Sequence, residues 1–305
     1  MKWTSTVCAA LAVGVVGAAV PTITLNNGVE MPMVSIGTWQ YNSSVAYDAI
    51  KEAYAVGFNH IDTAHDYENE DGVGRAIAEA PGGRDGVFLT TKVPGCGFQG
   101  ISILDCYSDS VKLHQDNLKL LNIEASDLLL IHFPPIDGCK VGCKAIQEQW
   151  SAMEYLLSQN LTKAIGVSNY CPSCFECLFE NATVTPAVNQ IGFHVGMGVD
   201  PIGIVSYCKE KGIVTQAYSP LGDGSTKLID GPVVTPIGDA HNKTGAQVSL
   251  KWLIQSGVPL STKARDSKYL AEDIDLFDWN LTDTEMTTLN DATSPPGIPS
   301  FLCTK

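Results

Sequence analysis

The stretch His60-Ile61-Asp62-Thr63-Ala64-His65-Asp66-Tyr67 places a carboxylate at the end of a short β-rich run and a phenol five residues later. Two later apolar runs also end in a titratable residue, at residues 88–92 (Phe-Leu-Thr-Thr-Lys) and 128–132 (Leu-Leu-Leu-Ile-His). In parallel β/α barrels the functional groups lie at the carboxyl ends of the strands. The three stretches therefore predict strands whose polar ends meet on one side of the same sheet.

The rest of the chain alternates short β-rich runs with longer segments of helical periodicity. The predicted barrel strands are residues 34–37, 60–63, 87–91, 128–132, 164–168, 187–191, 214–217 and 259–261. The predicted helices are residues 45–56, 69–79, 103–121, 143–159, 172–179, 201–211, 245–256 and 268–274, followed by an extra C-terminal helix at 282–289 and a tail at 294–305. Eight strand–helix units in this order predict an α/β fold, the (β/α)8 TIM barrel.

A β-hairpin is predicted before the first barrel strand. Residues 22–25 and 29–33 flank Asn26-Asn27-Gly28, which favours a tight turn. We expect this N-terminal hairpin to cover the bottom of the barrel. A doubly wound open sheet is the alternative, but it would place a Gly-rich phosphate loop after the first strand, and no G-x-G-x-x-G motif follows residues 34–37.

The N-terminus reads as a secretory signal peptide over residues 1–20, which leaves residues 21–305 for the barrel domain. Residues 7–20 are almost entirely Ala, Val and Gly, and the run is short for a transmembrane helix. An N-terminal apolar arm or a misplaced gene start is the alternative. A cut before Pro21 predicts a protein of the secretory pathway, in the endoplasmic reticulum lumen or outside the cell, whereas a leader without function would leave it in the cytoplasm.

Sequons and cysteines agree with an oxidising compartment. N-glycosylation sequons occur at Asn42, Asn160, Asn181, Asn242 and Asn280. Of the ten cysteines, all but Cys8 follow residue 20, and this odd number predicts at least one unpaired thiol. The pairs at 171–174 and 174–177 have the C-x-x-C spacing of zinc ligands, but no histidine accompanies them at ligand spacing. Disulfides or buried thiols explain them more simply, and we predict no metal site.

The charge of the chain bears on its partners. The formal net charge is −14, and no dense run of Lys or Arg is present. Nucleic acids and anionic membranes both attract clustered positive charge, so neither is an expected partner once the leader is removed. We expect a monomer that binds a small molecule.

The polar strand ends supply the groups of a proton-donating site. They are Asp62, Tyr67, Lys92 and His132. A free phenol has a pKa of about 10, and an adjacent ammonium would lower it. Asp62 would hold the ammonium by charge pairing, while His132 would orient a substrate oxygen or relay a proton. Taken singly, Asp62 could be a helix cap, Lys92 a surface charge and His132 a core histidine. Their order at successive strand ends instead favours a general acid that protonates an oxyanion.

This set of residues, in this order, resembles the aldo-keto reductases. Further similar motifs are Gly37-Thr38-Trp39, residues 62–70, Gly166-Val167-Ser168-Asn169-Tyr170, Asn189-Gln190 with His194, and Tyr218-Ser219-Pro220-Leu221-Gly222. The resemblance covers residue 22 to the C-terminus. It implies a carbonyl reductase in which Tyr67 donates the proton, Lys92 and Asp62 tune it, and His132 positions the carbonyl.

The resemblance also implies a nicotinamide cofactor. The expected cofactor contacts are Thr38, Ser168, Asn169, Gln190, Tyr218, Ser219, Leu221, Lys263, Arg265 and Asp273. The expected substrate contacts are Trp39, Tyr67, His132 and Phe133. Read without the resemblance, residues 168–169 could be a helix N-cap and residues 218–220 a plain turn.

The segment that would grip a 2′-phosphate departs from the family pattern. Family members that prefer NADPH carry Lys-Ser and a later Arg. Here Lys263 matches the Lys, while Ala264 replaces the Ser, Tyr269 stands at the Arg position and Asp273 replaces a common Asn. Losing a guanidinium weakens phosphate recognition, although Arg265 or Lys268 could replace it. NADPH is the expected cofactor, with NADH as the second option.

Two other functions fit less well. A non-catalytic nicotinamide-binding accessory protein on the same fold would not need all four site residues. A secreted glycoside hydrolase needs two carboxylates that flank the scissile bond, and Asp62 is the only acid that we find at a strand end.

Overall fold

Eight parallel strands close into a barrel in the computed structural model, which describes residues 20–139 and 143–297. The hairpin strands are β1 (Thr22–Thr24) and β2 (Glu30–Pro32), and the barrel strands are β3 (Val34–Gly37), β4 (His60–Asp62), β5 (Phe88–Val93), β6 (Leu128–Ile131), β7 (Ile165–Ser168), β8 (Val188–Gly192), β9 (Val214–Tyr218) and β10 (Leu260–Thr262). Each barrel strand pairs with its neighbours in chain order, and β10 closes the ring against β3 with Leu260 opposite Val34. The predicted TIM barrel is confirmed.

Helices between the strands form the outer layer. They are α1 (Ser43–Val56), α2 (Glu70–Ala78), α3 (Cys106–Leu121), α4 (Lys144–Ser158), α5 (Pro172–Phe179), α6 (Ile204–Glu210), α7 (Thr226–Ile229), α8 (Val234–His241), α9 (Gly245–Gln255), α10 (Ser267–Ile274) and α11 (Asp283–Asn290). Local sequence sets several of their ends. Asn42 caps α1 by accepting the backbone N–H of Val45 at 3.0 Å, and Thr244 with Gln247 forms a capping box at α9.

The hairpin covers the amino-terminal end of the barrel, as predicted. Leu25 and Met31 are buried in one cluster with Leu128 and Val188, the first residues of β6 and β8. The Asn-Asn-Gly turn is tight because Gly28 adopts a positive φ of 85°, which glycine tolerates best. This end of the barrel is therefore closed by apolar packing, and the opposite end is left for chemistry.

Helix α2 follows the stretch that holds the phenol, and glycine fixes its position. A Cβ at Gly74 would lie 2.4 Å from the backbone oxygen of Leu121, and one at Gly72 would overlap the backbone of Ser43. The helix therefore packs backbone to backbone against its neighbours. This contact holds the start of α2, and with it the preceding turn at the mouth of the barrel.

Two helical predictions differ from the structure. The predicted helix 201–211 is a 3-10 turn at Pro201–Gly203 followed by α6, because Ile202 and Gly203 both adopt positive φ, at 52° and 74°. Helices α7 and α8 lie between β9 and α9, in a segment where the sequence predicts none. Both are short, so their periodicity gives little signal.

Most cysteines pair around the upper loops. Disulfides join Cys96 to Cys106, Cys139 to Cys174 and Cys143 to Cys177, and Cys171 is also disulfide-bonded. Cys208 is buried and free, which confirms the predicted unpaired thiol. Within residues 20–139 and 143–297, no group of His, Cys, Asp or Glu is arranged to hold a metal ion, and no helix is long and apolar enough to cross a membrane. Residues 1–19 of the predicted signal peptide and 298–305 of the tail lie outside the described residues.

Candidate active site

A cavity of about 1260 Å³ opens at the carboxyl-terminal ends of the barrel strands. The residues predicted from sequence that line it are Trp39, Asp62, Tyr67, His132, Phe133, Asn169, Gln190, Tyr218, Ser219, Leu221, Lys263 and Asp273. A small-molecule pocket has a volume of roughly 300–1,000 Å³, so this one is large enough for a cofactor and a substrate together. The structure thus brings most of the predicted site to one cavity.

Lys92 is fully buried beside Asp62 in the barrel wall. Its Nζ donates to Oδ1 of Asp62 at 2.5 Å and to the backbone oxygen of Thr63 at 3.0 Å. Nε2 of Gln190 donates to the other carboxylate oxygen at 2.6 Å. Strand β5 runs on to Val93, so Lys92 lies inside the strand and not at its end as predicted. The predicted ion pair is confirmed, and it is what makes burial of the ammonium tolerable.

Tyr67 ends a 3-10 turn that follows β4. Nζ of Lys92 lies 5.3 Å from the centre of its ring, and the ring of His132 lies edge-on at 5.6 Å. Burial raises the pKa of Tyr67 well above its usual value, and nearby negative charges, Asp62 first, raise it further. The predicted lowering of this pKa is wrong, because burial dominates and Asp62 already pairs with the ammonium. Tyr67 therefore keeps its proton at neutral pH, which a proton donor requires.

His132 follows β6 directly and is held between a phenylalanine and a carboxylate. Its ring stacks on Phe133 at 4.3 Å, and its Nδ1 lies 2.9 Å from Oδ2 of Asp66. This is an ion-pair distance, although the ring N–H is not aligned for a strong hydrogen bond. Burial lowers the pKa of His132, while Asp66 opposes that effect. Burial alone would raise the pKa of Asp66, but the contact with His132 brings it below its usual value.

The sequence prediction missed Asp66. It lines the cavity, and its Oδ1 is buried without a hydrogen-bond partner in the described part of the chain. The available signal was its place beside Tyr67, since an acid next to a proton donor affects the donor's titration. Gln99, also missed, lines the cavity from the loop between β5 and α3.

Asn169, Gln190 and Tyr218 form a polar wall at the ends of β7, β8 and β9. The Tyr218 hydroxyl donates to Oδ1 of Asn169 at 2.9 Å, and Nδ2 of Asn169 donates to the backbone oxygen of His132 at 3.0 Å. Nε2 of Gln190 also donates to Gln216 at 3.0 Å. This wall combines the aromatic ring of Tyr218 with the side-chain amides of Asn169 and Gln190, and it lies next to His132.

The loop after β9 turns back on itself at the cavity wall. Ser219 and Asp223 adopt φ values of 48° and 55°, and the Ser219 hydroxyl donates to Oδ1 of Asp223 at 2.5 Å. The backbone N–H of Gly222 donates to the oxygen of Ser219 at 2.9 Å. Ser219 and Leu221 both line the cavity, as the resemblance implies.

Positive and negative side chains share the part of the cavity near β10 and α10. Nζ of Lys263 donates to the backbone oxygen of Trp39 at 3.2 Å and to Gln40 at 2.9 Å. Asp273 is buried and accepts from the Thr262 hydroxyl at 2.7 Å, and burial raises its pKa to about 7. Lys268, Tyr269 and Glu272 complete this lining.

Four predicted residues are not among the described residues that line the cavity. Lys92 is the one explained above by its pairing with Asp62. Thr38 is fully buried, and its hydroxyl donates to Thr63 at 2.9 Å, while the Ser168 hydroxyl donates to the backbone of Gln190 at 2.8 Å. Both hydroxyls thus form hydrogen bonds to residues on or next to the neighbouring strand. Arg265 is exposed, and its contact with a cofactor phosphate stays a prediction, whereas Lys263 and Lys268 line the cavity near β10 and α10.

Aromatic side chains also line the cavity. Trp39 is 47% exposed at the mouth, and Phe133 lies 6.2 Å from Phe98, ring centre to ring centre. Phe98 belongs to the loop that the Cys96–Cys106 disulfide constrains. The predicted substrate residues Trp39 and Phe133 thus both line the cavity.

Comparisons with known proteins agree with this geometry. A family model described as "Aldo/keto reductase family" matches residues 33–293. Glyoxal reductase of Bacillus subtilis (strain 168) is 36% identical over 87% of this chain and 90% of its own. A solved aldo/keto reductase of Brucella melitensis is 34% identical over 89% of this chain and 99% of its own, with a TM-score of 0.79.

A structure of a Bombyx mori aldo-keto reductase in complex with NADP is 31% identical over 90% of this chain and 93% of its own, with a TM-score of 0.77. The barrel, the cavity at its carboxyl-terminal end and the spaced motifs therefore agree with the whole-length similarity. The chain belongs to the aldo/keto reductase family and is an oxidoreductase.

Proposed function

We propose that the protein reduces small carbonyl compounds, such as aldehydes, ketones or sugars, to alcohols with NAD(P)H. The observation that carries this proposal is the placement of a protonated Tyr67 between His132 and the Lys92–Asp62 pair, at a cavity large enough for cofactor and substrate. The glyoxal reductase relative acts, by its name, on a small dicarbonyl compound, and a substrate of that size would suit the cavity.

The residues of the polar wall fit a nicotinamide. Asn169 and Gln190 offer amide groups, and Tyr218 offers an aromatic face at the same wall. A reduced nicotinamide held at this wall would supply the hydride that the carbonyl carbon accepts. Tyr67 supplies the proton to the carbonyl oxygen, and His132 holds that oxygen. The Lys92–Asp62 pair sets the electrostatics beside the phenol, with Asp62 at the cavity wall and Lys92 buried behind it, and the product is an alcohol.

NADPH is the proposed preference, with NADH as a second cofactor. Lys263 and Lys268 line the region expected to meet a 2′-phosphate. Glu272 and Asp273 line it as well, which weakens its attraction for a phosphate dianion. Parallel fluorescence titrations with NADPH and NADH test this point. Tighter binding of NADPH supports the role of the two lysines, and equal or tighter binding of NADH refutes it.

We also propose that the protein is a monomer that enters the secretory pathway after removal of residues 1–20. The three disulfides with both cysteines described fit an oxidising compartment. All five sequon asparagines are exposed, so each is accessible to glycosylation. Both features support this compartment for residues 21–305.

The reductase proposal is tested with NADPH that carries deuterium at the transferable position of the nicotinamide. The protein without residues 1–20 is incubated with this cofactor and with a panel of aldehydes, ketones and sugars. Deuterium on the alcohol carbon of a product supports the proposal. Cofactor binding without any deuterated product would instead support the non-catalytic accessory protein.

A further inference from the structure

Asp66 is a cavity carboxylate with no part in the proposed mechanism. It lies on the 3-10 turn after β4, directly before Tyr67, and its Oδ2 lies 2.9 Å from Nδ1 of His132. Its other oxygen, Oδ1, is buried and has no hydrogen-bond partner within the described ranges. A buried carboxylate oxygen without a hydrogen-bond partner is rare in proteins, so the position of Asp66 beside His132 calls for a functional explanation.

The contact determines which nitrogen of His132 faces the substrate. Nδ1 faces Asp66, whereas Nε2 forms no hydrogen bond with any described residue of this cavity wall. A neutral imidazole that keeps its proton on Nδ1 has a bare acceptor at Nε2, and a carbonyl oxygen needs a donor. The imidazolium has an N–H on both nitrogens. Only the charged ring therefore satisfies Asp66 and a carbonyl oxygen together.

We propose that Asp66 is a positioning residue, which keeps Nε2 of His132 toward the substrate and favours the imidazolium as the form that binds the carbonyl oxygen. As hydride adds to the carbon, negative charge develops on that oxygen, and a cationic donor stabilises it more than a neutral donor does. Tyr67 remains the group that transfers the proton. The kinetic part of this inference rests on the proposed reductase function.

Other charged groups also act on His132. Asp62 on β4 favours the imidazolium, whereas the Lys92 ammonium on β5 opposes it. These two form a buried ion pair with each other, so their effects on the ring oppose one another. Phe133 and Tyr67 contribute uncharged rings to the same surroundings. Asp66 is the charged group that contacts the ring, and it opposes the lowering of the His132 pKa by burial.

The first test measures the titration of His132 without any turnover. Nitrogen NMR of histidine-labelled protein follows the ring in wild type, Asp66→Asn and Asp66→Glu, with His132→Asn used to assign the signal. We expect the pKa of His132 to fall by roughly one unit or more in Asp66→Asn and to recover in Asp66→Glu. We also expect the neutral ring to carry its proton on Nδ1 in the wild type. An unchanged pKa in Asp66→Asn would refute the proposal.

The second test uses the pH dependence of kcat/KM for reduction. The wild type should lose activity as pH rises through the pKa of His132, and in Asp66→Asn this loss should occur at lower pH by the shift that NMR measures. Glu68→Gln is the matched control, because it removes an exposed carboxylate two residues away. A pH profile that moves equally in the control, or not at all in Asp66→Asn, overturns the inference.

The two tests separate this inference from the reductase proposal. A wild type that reduces no carbonyl would end the proposed function, while the NMR titration would still decide whether Asp66 sets the state of His132. NADPH binding reports that each variant is folded. If Asp66→Asn fails this check, Asp66→Ser replaces it and is expected to lower the pKa of His132 in the same direction.

Discussion

At the scale of single residues, the site depends on one ion pair buried in the barrel wall. The side chains of Lys92 and Asp62 are 0% and 5% exposed, and their charged atoms are 2.5 Å apart. Desolvation of two charges nearly cancels their attraction, so such a pair adds little net stability, but removal of one partner leaves the other charge buried alone. The pair therefore serves the site more than the fold.

Replacing Lys92 by methionine tests that view. Lys92→Met should lower the free energy of unfolding by roughly 3–5 kcal/mol, because Asp62 loses its counter-ion, and kcat should fall more than cofactor affinity. Lys112→Met is the matched control, since Lys112 pairs with Asp116 on the exposed face of α3 and its loss should change stability little. Chemical denaturation and steady-state kinetics measure both. Equal stability of the two variants would contradict a buried pair.

A second residue makes stability depend on pH. Burial raises the pKa of Asp273 from 3.8 to about 7, so the folded state binds a proton that the unfolded state releases at lower pH. The stabilisation from this proton is fully present below the pKa of Asp273 in the unfolded state. It is lost as the pH rises toward the folded-state pKa of about 7. Asp273→Asn should therefore be more stable than the wild type, by roughly 2–4 kcal/mol at pH values above this window and by little below it.

Thermal unfolding on both sides of the window checks this prediction. Asp48→Asn, which changes an exposed aspartate on α1, serves as the control and should shift stability equally at both pH values. A constant difference between Asp273→Asn and the wild type across the window would show that Asp273 is not buried as described.

At the scale of elements, disulfides determine how the loops above the barrel are held. Cys96–Cys106 ties the loop that carries Gln99 to the start of α3, and Cys139–Cys174 ties the segment after His132 to α5. The polar wall at the ends of β7, β8 and β9 lies on other strands. The order of the loops after β5 and β6 therefore depends on disulfide formation.

Removing the Cys96–Cys106 disulfide should weaken substrate binding and leave cofactor binding unchanged. In the Cys96→Ser, Cys106→Ser double variant we expect KM for the carbonyl to rise several-fold, with NADPH affinity unchanged and stability lower by roughly 2–4 kcal/mol. Cys208→Ser is the control, because Cys208 is free and buried away from these loops. An equal loss of substrate and cofactor binding would contradict this assignment of the loops.

Short β-rich runs predicted every barrel strand to within two residues, because buried parallel strands have few polar positions. Helices α7 and α8 were missed, since short segments carry too little periodicity. The Asp66–His132 contact could not be predicted, because it joins the segments after β4 and β6, which approach through the pairing of both strands with β5 and not through a local pattern.

At the scale of the whole molecule, the proposed entry into the secretory pathway predicts where the protein is found and how it is processed. Protein expressed from the full sequence in a eukaryotic host should be recovered from the medium or the lumen, should begin at Pro21 and should lose mass on treatment with an N-glycosidase. N-terminal sequencing and mass spectrometry check this. Cytosolic protein that retains residues 1–20 would contradict it. A version with Gln at all five sequon asparagines is the control for the loss of mass.

The central claim is that Tyr67 is the proton donor of a nicotinamide-dependent reductase, and removal of one hydroxyl tests it most directly. NADPH oxidation in a single turnover is compared between the wild type and Tyr67→Phe with the same aldehyde, with binding followed by cofactor fluorescence. We expect the variant to bind NADPH as the wild type does and to lose reduction by roughly a hundredfold or more. A Tyr67→Phe variant that reduces the aldehyde at the wild-type rate would contradict the account.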